Sequence, residues 1–295
     1  MCEFGLRQVL GNLAIAGMYD VAPADGRCLG LKPGFSTEYT GMQLAIPPVR
    51  QEVNELGFRG PPRPRTHPAG TTRIAMLGDS FTYGVTVREA DSIPAIVEAE
   101  LNAAGRPPTE VLNFGMPGVQ LHDIVPQFER FAAAFHPDVV VVLVEPGDFE
   151  WNEGHPNSMC DMLEIPAAAR AIAQHVYLSR LLLIPYFMLR PHGSGEGAPV
   201  EEFQTELRGI IETVARHHAK LAFVDLAGTP RLRDSTVERV VTAMGVPFVR
   251  VAEDDRALRT PRDGHYNATG TRSIGRRLAA WLAFARLVPP PIDAR

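Results

Sequence analysis

The chain has 295 residues, 45% hydrophobic and 21% charged, with a net charge of −5. These values fit an ordinary soluble globular protein long enough for one large domain or two smaller ones. The slightly acidic balance, without a dense Lys/Arg block, argues against a nucleic-acid partner.

In chain order, residues 1–20 read as a helix packed on the body of the protein. The segment carries Glu3 and Arg7 early, and its apolar part is short and interrupted. A secretory signal peptide has a basic start and a continuous apolar stretch. A soluble, cytoplasmic protein is therefore expected. The odd cysteine set, Cys2, Cys28 and Cys160, matches no metal spacing and reads as free thiols of a reducing compartment. Residues 21–70 form a β-rich extension with strand-like pieces at 35–39 and 42–46. It ends in an irregular, Pro-rich linker over 61–70.

From residue 71 onward strands and helices alternate. Strands are expected at 73–77, 110–114, 138–144, 220–226 and 247–251. Helices are expected at 92–104, 121–134, 200–218, 235–244 and 268–285. The run Asp-Val-Val-Val-Val-Leu-Val at 138–144 is apolar on both faces, as a central parallel strand is. This βα alternation argues for a mainly parallel five-stranded sheet covered by helices on both faces, one body over 71–295. Segment 153–199 interrupts the pattern as a helical insertion between the third and fourth strands. Loops after strand carboxyl ends line the crevice of such sheets, so the insertion is a candidate lid. The alternative is a helical hairpin that extends the core. The apolar run 176–189 contains Arg180 and Pro185 and is too short to span a bilayer.

The first strand leads into Gly78-Asp79-Ser80-Phe81-Thr82-Tyr83-Gly84. A serine there lies at the carboxyl edge of the sheet, where backbone N–H groups can stabilise an oxyanion. Thr82 stands where a Gly-x-Ser-x-Gly elbow has its second glycine, so this is not that turn. A serine hydroxyl is a weak nucleophile unless a base is within hydrogen-bond reach. Asp263-Gly264-His265-Tyr266-Asn267 follows the last strand on the same sheet edge, with Asp263 close enough to orient His265. Other readings are plainer: Ser80 as a helix N-cap and Asp263 as a turn residue. His122 and His155 read as loop or cap residues, and His217 and His218 as helix-end residues suited to the dipole. Asn267-Ala268-Thr269 reads as a helix start rather than a glycosylation site. With neither zinc spacing nor a phosphate loop, no metal and no cofactor is expected.

Three segments taken together, GDSFTYG, Asn113-Phe114-Gly115-Met116-Pro117-Gly118 and DGHYNATG, resemble blocks I, II and V of the SGNH/GDSL hydrolases, in the family's order. Gly57-Phe58-Arg59-Gly60 resembles a segment often found upstream of the serine block in bacterial members. The resemblance spans residues 57–285. It implies a flavodoxin-like three-layer α/β/α sandwich and hydrolysis of a small-molecule ester or acyl compound through an acyl-enzyme. It makes Ser80 the nucleophile, His265 the base and Asp263 the acid, two residues before the histidine rather than the commoner three. The N–H groups of Ser80 and Gly115 become the oxyanion donors. Block III departs from the pattern. The family has Gly-x-Asn-Asp at the third strand's end, whereas this chain has Gly147 before Asp148 and no Asn at that place. Asn152 or a backbone N–H is left to substitute. Asp79, Asn113, Glu145, Gly147, Asp148 and Asn152 complete the candidate pocket, and Asn113 and Gly118 also read as residues that shape the block II turn. Two rivals stand beside the esterase: an acyltransferase or cyclase with the same Ser-His-Asp site, and a non-catalytic binding module.

Overall fold

A computed structural model of the chain describes residues 18–21, 28–40, 46–66, 68–145, 200–226, 232–251, 255–261 and 264–292. Two short antiparallel ladders come first. β1 (Tyr19–Val21) pairs with β2 (Cys28–Leu31), and β3 (Ser36–Tyr39) pairs with β4 (Val49–Glu52). A five-stranded sheet follows, made of β5 (Thr72–Leu77), β6 (Thr109–Asn113), β7 (Val139–Val144), β8 (Lys220–Asp225) and β9 (Phe248–Arg250). Its order is β6-β5-β7-β8-β9, and every neighbouring pair is parallel. The helices are α1 (Ser80–Tyr83), α2 (Ile93–Ala103), α3 (Ile124–Gln127), α4 (Val200–Arg216), α5 (Leu232–Ala243) and α6 (Ala268–Phe284).

The layers follow from the two-residue period of a strand. Ala75 and Leu77 of β5 face a core with Phe128, Leu207 and Val241, while Ile74 and Met76 face another with Val97, Ile274 and Leu278. Every side chain of β5 and β7 is buried, which explains the apolar runs Ile74–Leu77 and Val139–Val144. The result is the expected α/β/α sandwich with the flavodoxin-like strand order. Its crevice opens outside the carboxyl ends of β5 and β7, where the strand order reverses. At the opposite edge Arg73 is fully buried. Its Nε and Nη2 donate to Glu110 Oε2 at 2.9 and 2.6 Å, and its Nη1 donates to the carbonyls of Arg65 and Phe135. The irregular linker is thus tied to the sheet through Arg65.

Several expectations need correction. Tyr19 and Asp20, read as the end of a helix, lie in β1; residues 1–17 fall outside the described residues. Pairing with a partner ten residues away overrides local pattern there. The strand piece at 42–46 falls mostly outside the described residues, Ile46 lies in no strand, and the partner of β3 is β4. The helix expected over 121–134 is segmented. A 3-10 turn (Leu121–Asp123) precedes α3, which runs on through a π turn (Phe128–Ala132) and a second 3-10 turn (Ala133–Phe135). Restarting at Ile124 places Pro126 in a first helical turn, where its missing N–H breaks no hydrogen bond. The insertion at 153–199 lies outside the described residues. Among them no helix is long and apolar enough to cross a membrane.

The extension is packed on the body rather than set apart from it. Tyr19, Leu31, Tyr39 and Val53 share a core with Tyr83, Val85, Met116 and Val119. On the other side of the block II loop, Glu206 of α4 is half-buried, and burial raises its carboxyl to about 7. His122 opposes the shift, and Glu202 and Asp123 add to it. The folded state then holds this proton where the unfolded chain has released it, so the group's contribution falls as pH rises from 4.5 to about 7. Glu206→Gln is expected to match wild type in urea unfolding at pH 4. At pH 8 it should be the more stable by on the order of 1 kcal/mol, after allowance for solvent screening. An equal difference at both pH values would remove the assignment.

Candidate active site

The site starts from β5. The chain leaves the strand at Gly78, where a Cβ would meet Thr82 Oγ1 and stand 2.5 Å from the Leu143 carbonyl oxygen. Asp79 caps α1, its Oδ1 accepting the Phe81 N–H at 2.9 Å. Burial pushes its carboxyl above the ordinary range. The Phe81 N–H and the nearby His265 act against that shift. Ser80 is the first residue of α1, so its N–H belongs to the turn's open end.

The far end of α1 is held by Arg59, which is buried. Its Nη1 donates to the Tyr83 and Gly84 carbonyls at 2.8 and 2.6 Å, and its Nη2 to the Val87 carbonyl at 2.8 Å. The guanidinium also lies 4.6 Å from the Tyr83 ring centre. One cation thus gathers the carbonyls that a helix terminus leaves without partners.

His265 arrives from the loop before α6. Its Nε2 stands 2.7 Å from Ser80 Oγ, although 185 residues separate the two in sequence. Its ring packs against Phe81 at 4.6 Å between centroids. The loop is fastened on both sides. Arg259 donates to the Gly264 carbonyl and the Tyr266 hydroxyl at 2.8 Å each, and Thr260 N–H donates to the His265 carbonyl at 2.7 Å. Thr86 Oγ1, just beyond the Ser80 turn, donates to the Tyr266 carbonyl at 2.8 Å. This bond links the two loops that carry Ser80 and His265. Thr86→Val keeps the shape and removes the donor. It is expected to lower unfolding stability by about 1 kcal/mol and kcat severalfold at constant KM. Urea unfolding and steady-state kinetics on an aryl ester check both; an unchanged kcat would free the geometry from Thr86.

The block II loop lies alongside. Phe114 N–H donates to the Met76 carbonyl and Met116 N–H to the Gly78 carbonyl, each at 2.9 Å. Asn113 Nδ2 donates to the Tyr83 carbonyl at 3.2 Å, and Asn113 Oδ1 accepts the Gly115 N–H at 3.0 Å. The Gly115 N–H, expected as an oxyanion donor, is thus held by a buried side chain. Asn113 thus stitches the loop together. Two residues on, Val119 N–H reaches the Met116 carbonyl at 3.3 Å, and Gly118 has φ 78°. Met116-Pro117-Gly118-Val119 is therefore a type II turn. Tyr19 donates its hydroxyl to the Pro117 carbonyl.

Of the other residues singled out in the sequence, Glu145 is half-buried just past β7. Gly147, Asp148, Asn152 and Asp263 lie outside the described residues. Sequence reasoning passed over Tyr19 and Thr86, met Arg59 only within the Gly57–Gly60 motif, and read Gly118 only as a residue that shapes the block II turn. Only Gly118 carried a local signal, the Pro-Gly pair of a turn.

Solved structures with similar folds include a putative lipolytic protein of the G-D-S-L family from Desulfitobacterium hafniense DCB-2. It is 15% identical, with a TM-score of 0.46, covering 71% of this chain and 98% of that one. A lipase/acylhydrolase from Enterococcus faecalis is 14% identical, with a TM-score of 0.48, covering 74% and 98%. No curated protein matches the chain in sequence. The model of the GDSL-like Lipase/Acylhydrolase family matches residues 76–272, about two thirds of the chain. That stretch takes in both the Ser80 turn and the His265 loop. The chain belongs to the GDSL-like lipase/acylhydrolase family, whose members are hydrolases of the SGNH type acting on esters.

Proposed function

We propose that the protein is a serine esterase that cleaves a small-molecule carboxylic ester through an acyl-enzyme on Ser80. The observation that carries this reading is the 2.7 Å approach of His265 Nε2 to Ser80 Oγ. An imidazole protonated on Nδ1 accepts the Ser80 proton at Nε2 while Oγ attacks the ester carbonyl. The imidazolium returns that proton to the leaving alcohol. A water molecule, deprotonated at the same nitrogen, then attacks the acyl-Ser80 carbonyl, and the acid leaves as Ser80 regains its proton. Asp263 is assigned to accept the Nδ1–H and hold that tautomer.

Negative charge on the carbonyl oxygen goes to two backbone donors. One is the Ser80 N–H at the open end of α1. The other is the Gly118 N–H, on the turn that Met116 fastens beside Gly78. Gly118 takes this role in place of Gly115, whose N–H serves Asn113.

The test is labelling of the full chain with a fluorophosphonate, mapping of the adduct by peptide mass, and turnover of p-nitrophenyl esters of increasing acyl length. The expected adduct is on Ser80, with turnover falling as Ser80 is labelled. A folded protein that leaves Ser80 unlabelled overturns the reading.

A further inference from the structure

The type II turn at 116–119 has a consequence for the oxyanion. Type I and type II turns differ by a flip of the central peptide, which exchanges the faces of its N–H and C=O. Here that peptide is Pro117–Gly118, and its carbonyl accepts the hydroxyl of Tyr19 from β1, 98 residues earlier in the chain. In a trans peptide the N–H points opposite to the C=O. Holding the carbonyl toward the extension therefore aims the Gly118 N–H away from it. Tyr19 is itself fixed, with its ring packed among Met18, Leu31, Tyr83, Met116 and Val119.

We propose that Tyr19 is a positioning residue for catalysis: by donating to the Pro117 carbonyl it sets the direction of the Gly118 N–H and strengthens that N–H as an oxyanion donor. A carbonyl that accepts a hydrogen bond polarises its amide, and the N–H of the same unit becomes a better donor. The hydroxyl stays protonated at neutral pH. Burial pushes the phenol well above its ordinary value, and the Asp123 and Asp79 carboxylates push it further. The N-terminal extension thus contributes to the reaction while supplying no group that touches substrate. The proposal rests on the assignment of Gly118 in the esterase reading.

The test is Tyr19→Phe in the full chain, with Ser80→Ala and Val53→Ala beside it. Val53 packs in the same core and donates no side-chain hydrogen bond. Active sites are counted by phosphonate titration, so kcat refers to competent molecules. A boronic acid that forms a tetrahedral adduct on Ser80 reports oxyanion binding. For Tyr19→Phe, kcat per active site should fall about tenfold, KM should stay within about twofold, and the boronate Ki should rise in step with the loss of kcat. Val53→Ala should lower the unfolding midpoint and leave kcat per active site unchanged. A Tyr19→Phe variant with wild-type kcat and boronate affinity overturns the proposal, whatever its stability. Should Tyr19→Phe not fold, 3-fluorotyrosine at position 19 keeps the ring and makes the hydroxyl a stronger donor. A raised kcat then supports the role, and an unchanged one overturns it. Ser80→Ala separates the two levels. If it retains turnover, the esterase reading fails. If it is inactive while Tyr19→Phe matches wild type, only the positioning role falls.

Discussion

Replacing His265 with alanine is expected to lower ester turnover by about 10⁴-fold or more, and adding Ser80→Ala to that variant is expected to lower it no further. In the proposed reaction the two groups act as one unit: the hydroxyl is reactive only while Nε2 can take its proton, 2.7 Å away. Removal of either partner abolishes the same step, so the losses do not add. What survives is the contribution of binding and of backbone donors, which needs neither side chain. The fold has little stake in the imidazole. His265 is half-buried, and the loop around it is fastened by Arg259, Thr260 and Thr86 through backbone atoms and the Tyr266 hydroxyl. Both single variants should therefore unfold near the wild-type midpoint. Initial rates on an aryl acetate for the two single variants and the double, with denaturation curves beside them, decide the matter. Multiplying losses, or a His265→Ala variant within tenfold of wild type, would mean that another base serves Ser80.

The parts of this molecule that were legible in the sequence are those governed by local pattern. The valine run of β7 reads as a two-sided buried strand because each residue, whichever face it takes, meets apolar neighbours. Ser80 and His265 were legible as a pair because Ser80 follows β5 directly and His265 lies in the segment that leads from β9 to α6, and parallel topology puts the strand ends that feed both on one edge. Elements that depend on distant partners were not. β1 has three residues and β2 four, too few to show an alternation, and they exist because Tyr19 meets Leu31 across a ladder and Met116 across a core. The reason for proposing Gly118 rather than Gly115 as the second oxyanion donor was equally hidden. The two glycines stand three residues apart in similar company, and what separates them is where the Asn113 carboxamide points. Arg59 was visible only as part of a motif. Its task, collecting three carbonyls from the end of α1, depends on burial that no local pattern records.

Gly115→Ala is expected to destabilise the protein by about 3 kcal/mol and to lower kcat per active site by about 10²-fold, although it leaves every N–H in place. The reason is contact. A Cβ on residue 115 would meet the Tyr83 backbone nitrogen, with the Thr82 carbonyl carbon at 2.7 Å and the Tyr83 Cα at 2.8 Å, where ordinary contact begins at 3.4 Å. These are main-chain atoms of the turn that presents Ser80, and no rotamer change can move them aside. Either the block II loop or α1 must shift, and a displacement near 1 Å at the reacting atoms is enough for a loss of about 10²-fold. Gly70→Ala is the contrasting case. Gly70 has φ +77° with nothing within 4 Å of its Cβ position, so alanine there meets backbone strain without collision. That strain costs about 1 kcal/mol and leaves the active site undisturbed. Urea unfolding and titrated kcat for both variants separate the two effects. If Gly115→Ala were as stable and active as wild type, the close approach of the block II loop to the Ser80 turn would have to be abandoned, and with it the reason for a glycine at position 115.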